Sequence, residues 1–153
     1  MIIHKNIDIF QLTPCGAIIH QCNCQNTMGS GVAAIVRQKY PEAAAKDAAT
    51  KCGDRSKMGS FTYAQGKDGK WIFNLYAQYS YGMDKRHTDY EAFFVGMEAI
   101  KNHMVALGFR TAAVPYKIGS DRGGASWPVI AAMLREIFDQ SSIDLYICQY
   151  SPK

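Results

Sequence analysis

The stretch from Ala17 to Ala34, AIIHQCNCQNTMGSGVAA, restricts this chain more than any other. Ala17-Ile18-Ile19 is a short apolar run after a Pro14/Gly16 turn and reads as the start of a buried strand. The chain then turns small and polar through Asn23, Gln25, Asn26 and Thr27. Gly29-Ser30-Gly31 leads directly into Val32-Ala33-Ala34-Ile35-Val36, which has helical spacing against Tyr40. A strand therefore feeds a glycine-rich loop, and the loop opens a helix. The first N–H groups of a helix have no internal partner, the dipole is positive there, and glycine lets an anion approach closely. A phosphate or diphosphate suits such a place. The glycines also fit a plain tight turn. Their spacing is neither G-x-G-x-x-G nor G-x-x-x-x-G-K-[ST], so a dinucleotide fingerprint and a P-loop are both excluded.

At 153 residues the chain is expected to be one domain, residues 1–153, with a real core. Its net charge of +4 is scattered, which fits an anionic small molecule at least as well as a polynucleotide. No apolar run approaches the roughly 18 residues of a membrane span. MIIHKNIDIF lacks a charged segment followed by an apolar one, so no secretory leader is read there. The five cysteines, Cys15, Cys22, Cys24, Cys52 and Cys148, are odd in number and read as free thiols in a reducing compartment. The expectation is a cytoplasmic protein. Cys22-x-Cys24 lacks zinc-ligand spacing, so no metal is expected and no cofactor.

Further along, Ile2-Ile3-His4 and Ile7-Asp8-Ile9-Phe10 read as strand with a break at Asn6. A first helix is expected over 31–40, and a second begins at Pro41 and stops before Gly53. Ser60–Ala64 and Trp71–Gln78 read as strands joined by a Gly66–Gly69 hairpin turn. Tyr76, Tyr79 and Tyr81 read mostly as rim packing. The longest helix is expected over 89–107, with Tyr90, Phe93, Phe94, Met97, Ile100, Met104 and Leu107 as its core stripe. Thr88 and Glu91 have capping-box spacing, Gly108 ends the helix, and His103 falls on its polar side. Thr111–Pro115 is a short strand, a helix is expected from Ser126 or Trp127 to Phe138, and Ile143–Cys148 is the last strand.

Between the last two strands lies the second informative loop, Tyr116-Lys117-Ile118-Gly119-Ser120-Asp121-Arg122-Gly123-Gly124-Ala125-Ser126-Trp127. The chain thus uses strand, glycine-rich loop and helix N-terminus twice. In an α/β sheet such loops gather at the strand C-termini and form a ligand crevice. Two of them can clamp a diphosphate between opposing N–H groups. The pattern as a whole is α/β, with a mixed sheet because of the hairpin.

Both loops carry a family resemblance. HQCNCQNTMGSGVA resembles the first ligand loop of macrodomains, and its His-x-Cys-Asn-Cys form is similar to the branch that processes ADP-ribose 1″-phosphate. VPYKIGSDRGGASWPVI resembles the second macrodomain loop, with Pro115, Ile118, Gly119, Gly124 and Trp127 at matching positions. The resemblance implies a three-layer α/β/α fold with a mixed, mostly parallel sheet. It implies ADP-ribose or ADP-ribose 1″-phosphate as partner. A compact single domain makes a monomer the default, the lack of a basic stripe with interleaved aromatics makes free nucleic acid unexpected, and the short apolar runs make a membrane unexpected. The resemblance also implies Asp8, followed by Ile9, as the cap of the adenine amino group, and Tyr150 as the aromatic against adenine. Asn23, Gly29, Ser30, Gly31 and Val32 would hold the ligand from the first loop, and Ile118, Gly119, Ser120, Arg122, Gly123 and Gly124 from the second.

The departures are informative. The branch that removes ADP-ribose from glutamate uses a lysine after the middle strand and an aspartate in the second loop. Gln78 and Gly123 stand at those positions, so the covalent lysine route is not expected. Ser120 replaces the usual cysteine, Asp121 a glycine, and Ser126 an aspartate. The catalytic candidates are then His20 as proton donor near neutral pH and Asp121 as the group that positions water. His20 has a second reading, a buried histidine satisfied by a neighbouring strand. The implied reaction is hydrolysis of the 1″-phosphate without metal. The alternatives are a binder of ADP-ribose that does no chemistry, and a hydrolase of ADP-ribose esters such as O-acetyl-ADP-ribose or ADP-ribosylated carboxylates.

Overall fold

The computed structural model describes residues 1–13 and 15–150, so Pro14 of the expected Pro14/Gly16 turn lies outside the described residues. Six strands form one sheet: β1 (Ile2–Lys5), β2 (Ala17–Cys22), β3 (Phe61–Gln65), β4 (Trp71–Tyr76), β5 (Thr111–Pro115) and β6 (Asp144–Cys148). Their order is β1-β6-β5-β2-β4-β3. Every pair is parallel except β3–β4. That exception is the expected hairpin, closed by Gly69 N–H donating to Gly66 O, with Gly69 at φ +89°.

A mostly parallel sheet must be covered on both faces. Residues of β2 alternate accordingly. Ala17 and Ile19 join Phe73, Leu75, Ala112, Val114 and Leu145 beneath α3 (Tyr90–Ala106) and α4 (Trp127–Phe138). Ile18 joins Ile72 and Ala113 on the other face, against Val36 of α1 (Gly31–Lys39) and Ala43 of α2 (Pro41–Ala48). The result is the expected three-layer α/β/α arrangement. Each fully buried large side chain in these layers contributes about 1.5–3 kcal/mol.

Five local readings are corrected by the structure. Ile7–Phe10 is no strand: β1 ends at Lys5, and Ile9–Gln11 forms a 3₁₀ turn capped by the Asp8 carboxylate, which accepts from Phe10 N–H at 3.0 Å. Ile9 thereby turns inward to the α1 face. The α3 cap is Asp89, accepting from Ala92 N–H at 2.9 Å, and Thr88 is free for other partners. His103 packs among aromatic rings, with its ring centroid 4.7 Å from Tyr63 and 5.6 Å from Phe61, while Leu107 leaves the core stripe and is exposed. Tyr76 is fully buried and donates to Asp47 Oδ1 at 2.8 Å, so it is core and not rim.

Helix α3 approaches the sheet closely at Gly96. A Cβ there would run into Leu75 Cδ1 and press on the Gly59 carbonyl at 3.3 Å. Gly96→Ala is therefore expected to destabilise the fold by about 1–3 kcal/mol in urea unfolding, despite its better helix propensity. An unchanged or raised midpoint would contradict this packing.

Candidate functional site

The C-termini of β2, β4 and β5 point the same way because the strands are parallel. The loops that follow them, 23–30, 77–89 and 116–126, surround a cleft of about 450 Å³. That volume suits a nucleotide-sized ligand.

The first loop is held from within. Asn23 Nδ2 donates to Thr27 O and Oγ1 at 3.1 and 2.9 Å, and its Oδ1 accepts from Gln25 N–H at 2.9 Å. Asn26 has φ +56°, a conformation open to asparagine. The buried Lys57 ammonium donates to its Oδ1 at 2.7 Å, and its Nδ2 donates to Thr50 O at 2.7 Å. The loop ends at Ser30, the N-cap of α1, whose side chain makes no cap bond. The first N–H groups of α1 are thus left uncapped beside the cleft.

The second loop is held by backbone geometry. Lys117, Gly119 and Gly124 have φ of +63°, +74° and +74°. Gly119 O accepts from Ala125 N–H at 3.0 Å, and Gly123 O accepts from the N–H groups of His87 and Thr88 at 2.9 and 3.0 Å. Gly123 has no room for a side chain, since a Cβ would collide with Thr88 Oγ1 and with Gly119 O. Among the described residues, the N–H groups of Asp121, Arg122 and Gly123 meet no protein acceptor.

Of the residues picked out in the sequence, His20, Asn23, Gly29, Ser30, Gly31, Val32, Ile118, Gly119, Asp121, Arg122 and Gly123 line this one cleft. Asp8, Ile9, Ser120, Gly124 and Tyr150 do not. Asp8 and Ile9 belong to the 3₁₀ turn, Tyr150 is exposed, and Gly124 packs at the Arg86 backbone. Asp121 and Arg122 are both exposed and form no ion pair within 4.0 Å among the described residues. Sequence reasoning passed over Gln21, Tyr81, Met83 and Lys117, which also line the cleft. Gln21 carried a signal, a polar residue inside an apolar strand next to His20.

His20 takes the second of its two readings. It is 1% exposed, and its Nε2 lies 2.6 Å from Asn74 Oδ1. Asn74 Nδ2 donates to Ala43 O and Thr62 Oγ1, both at 3.0 Å. The amide orientation is therefore set, and Nε2 must carry the imidazole hydrogen. Burial lowers the pKa from 6.5 to about 4, outweighing the opposing effect of the Asn74 bond. The expectation of a proton donor near neutral pH is corrected: burial keeps the ring neutral, and its N–H is already engaged. Cys22, 3.7 Å away, is no nucleophile either, because burial and then Asp47 push its thiol well above the ordinary value.

The macrodomain of Mycobacterium tuberculosis DarG superposes with a TM-score of 0.79 at 19% identity, covering 100% of this chain and 99% of that one. This chain has the macrodomain fold. Thermosipho africanus DarTG, solved in complex with ADP-ribose, matches with a TM-score of 0.73 at 16% identity over 93% of this chain and 39% of that protein. In sequence, the chain is 27% identical over 146 residues to an uncharacterized 17.5 kDa protein of Enterobacteria phage T4, covering 88% of this chain and 86% of that one. It is 21% identical over 140 residues to human ADP-ribose glycohydrolase OARD1, covering 92% and 86%. A stretch of 36 residues, 24% of this chain, is 47% identical to ADP-ribose 1″-phosphate phosphatase of Ajellomyces capsulatus and spans 14% of that protein. No family model matches the chain.

The neutral His20 has a measurable signature. The unfolded chain takes up its imidazole proton near pH 6.5, the folded one only near pH 4. The unfolded state thus binds more protons between those values, and stability contributed by His20 is present above pH 6.5 and lost as the pH falls toward 4, by up to about 3 kcal/mol. Urea unfolding at pH 7 and pH 4.5 is expected to show a steeper loss for the wild type than for His20→Gln. Equal losses would place the acid sensitivity elsewhere.

Proposed function

We propose that this macrodomain binds ADP-ribose in the cleft and removes the terminal phosphate of ADP-ribose 1″-phosphate. The observation that carries the binding half is the convergence of two anion-accepting backbone segments on one cleft, the uncapped α1 N-terminus and the 121–123 N–H groups. An elongated diphosphate fits between two such segments with little need for charged side chains. The complex of Thermosipho africanus DarTG with ADP-ribose, and the names of the human and Ajellomyces relatives, supply the ligand class.

The chemistry follows from what the cleft contains. Gln78 and Gly123 provide neither nucleophile nor acid. His20 is neutral and bound to Asn74. Asp121 is the carboxylate that lines the cleft among the described residues, with Arg122 beside it. In this reading a water held by Asp121 attacks the 1″-phosphorus in line and gives its proton to the carboxylate. The bond from phosphorus to the 1″ oxygen breaks, and that oxygen takes a proton from solvent. Arg122 offsets charge on the transferring phosphoryl group.

Two measurements test the reading. Phosphate release from ADP-ribose 1″-phosphate is expected for the wild type without added metal, with Asp121→Asn slower by about 10²-fold or more and still binding ADP-ribose. Binding of ADP-ribose without release in the wild type would leave a binding module and reject the phosphatase. Gly29 tests the binding half, because a Cβ there would meet nothing within 4 Å. Gly29→Val is expected to melt like the wild type and to lose ADP-ribose affinity by about tenfold or more in calorimetry, as its side chain fills space needed by the anion. Unchanged affinity would move the ligand elsewhere.

A further inference from the structure

Thr88 stands one residue ahead of Asp89, which caps α3. Thr88 is 1% exposed, and its hydroxyl and N–H are both engaged at the cleft. Its hydroxyl donates to Gly119 O at 2.8 Å and accepts from Gln21 Nε2 at 2.8 Å. Its N–H donates to Gly123 O at 3.0 Å. Gln21 Nε2 also donates to Gln78 Oε1 at 2.7 Å, and Gln78 Nε2 to Ser80 O at 2.8 Å, so the amide orientations along this row are set by one another. The Thr88 hydroxyl also fills the space where a Gly123 side chain would go. One buried threonine thus connects β2, the 77–89 loop and both carbonyls that shape the second glycine loop.

We infer that Thr88 is a positioning residue for the second-loop side of the cleft, holding the 119–124 loop in the shape that offers its N–H groups to the ligand. The inference rests on the ADP-ribose reading above for its ligand, and on the hydrogen bonds alone for its effect on the loop. A buried hydroxyl that both donates and accepts has one working geometry. A side chain of the same shape without those bonds leaves Gly119 O and Gln21 Nε2 short of a partner. The affected N–H groups belong to the second loop, away from the α1 N-terminus.

Thr88→Val and Thr88→Ser are compared with the wild type by calorimetry with ADP-ribose and by amide hydrogen exchange without ligand. Thr88→Val is expected to lose ADP-ribose affinity by about tenfold or more, and Thr88→Ser to retain it. Exchange at residues 119–125 is expected to quicken in Thr88→Val, with the central strands unchanged. Unchanged affinity, an equal loss in Thr88→Ser, or faster exchange throughout the sheet would overturn the inference. Unchanged exchange at 119–125 would overturn it whatever the affinity does, whereas a wild type that binds no ADP-ribose would overturn the proposed function. Should Thr88→Val fail to fold, Gln21→Met removes the donor to the Thr88 hydroxyl and is expected to quicken exchange at 119–125 with the central strands unchanged; unchanged exchange there would count against the inference equally.

Discussion

The amide of Asn74 is the constraint on which the α1–α2 face depends. It is fully buried in β4, where an unmet polar atom costs about 1–3 kcal/mol, and all of its bonds are made. It receives the His20 N–H from β2, reaches the Ala43 carbonyl of α2, and donates to Thr62 on β3. Thr62 Oγ1 continues to the Tyr76 hydroxyl at 3.1 Å, and Tyr76 to Asp47. A one-residue slip of β2 against β4 would break the row at its first bond and bury unpaired groups. The register that sends both strand ends to the cleft is thereby specified by polar atoms as well as by apolar packing. The same row holds His20 in one tautomer, which is why a histidine that reads as catalytic is structural.

The parts of the fold legible in the sequence were those with local causes. The β2–loop–α1 unit follows from an apolar run, three small residues and a helical repeat, and the structure reproduces it. The β3–β4 hairpin follows from Gly66 and Gly69, and the α4 start from Pro128. The misread parts depended on tertiary partners. Ile7–Phe10 has strand composition, but Asp8 caps a turn and Ile9 joins the apolar cluster on the α1–α2 face of the sheet. His103 sits where helical spacing puts a polar face, and the aromatic cluster of the hairpin covers it. Thr88 has the spacing of a cap, and Gly119 and Gln21 claim its hydroxyl instead. For His103 and Thr88 these partners lie far beyond a helical turn of the residue they redirect.

The candidate site shows the same division. Glycine-rich loops are visible because their chemistry is in the backbone, and both converge on one cleft. The row Gln21–Gln78–Thr88 is not visible as a unit, since each residue stands out only singly and nothing in the sequence joins the three. Its presence also explains why the cleft holds so little side-chain reactivity: Gln78 is an amide bonded to two neighbours, and Gly123 has no side chain to offer.

The crowding at Gly123 has a bearing on how such a site can change over generations. A side chain there would meet the Thr88 hydroxyl and the Gly119 carbonyl at once, so loss of the hydroxyl alone does not open the position. That loss would also take a partner from Gly119 O and Gln21 Nε2. Positions 88, 119 and 123 are therefore bound to one another, and a carboxylate could be added at 123 only by altering all three together.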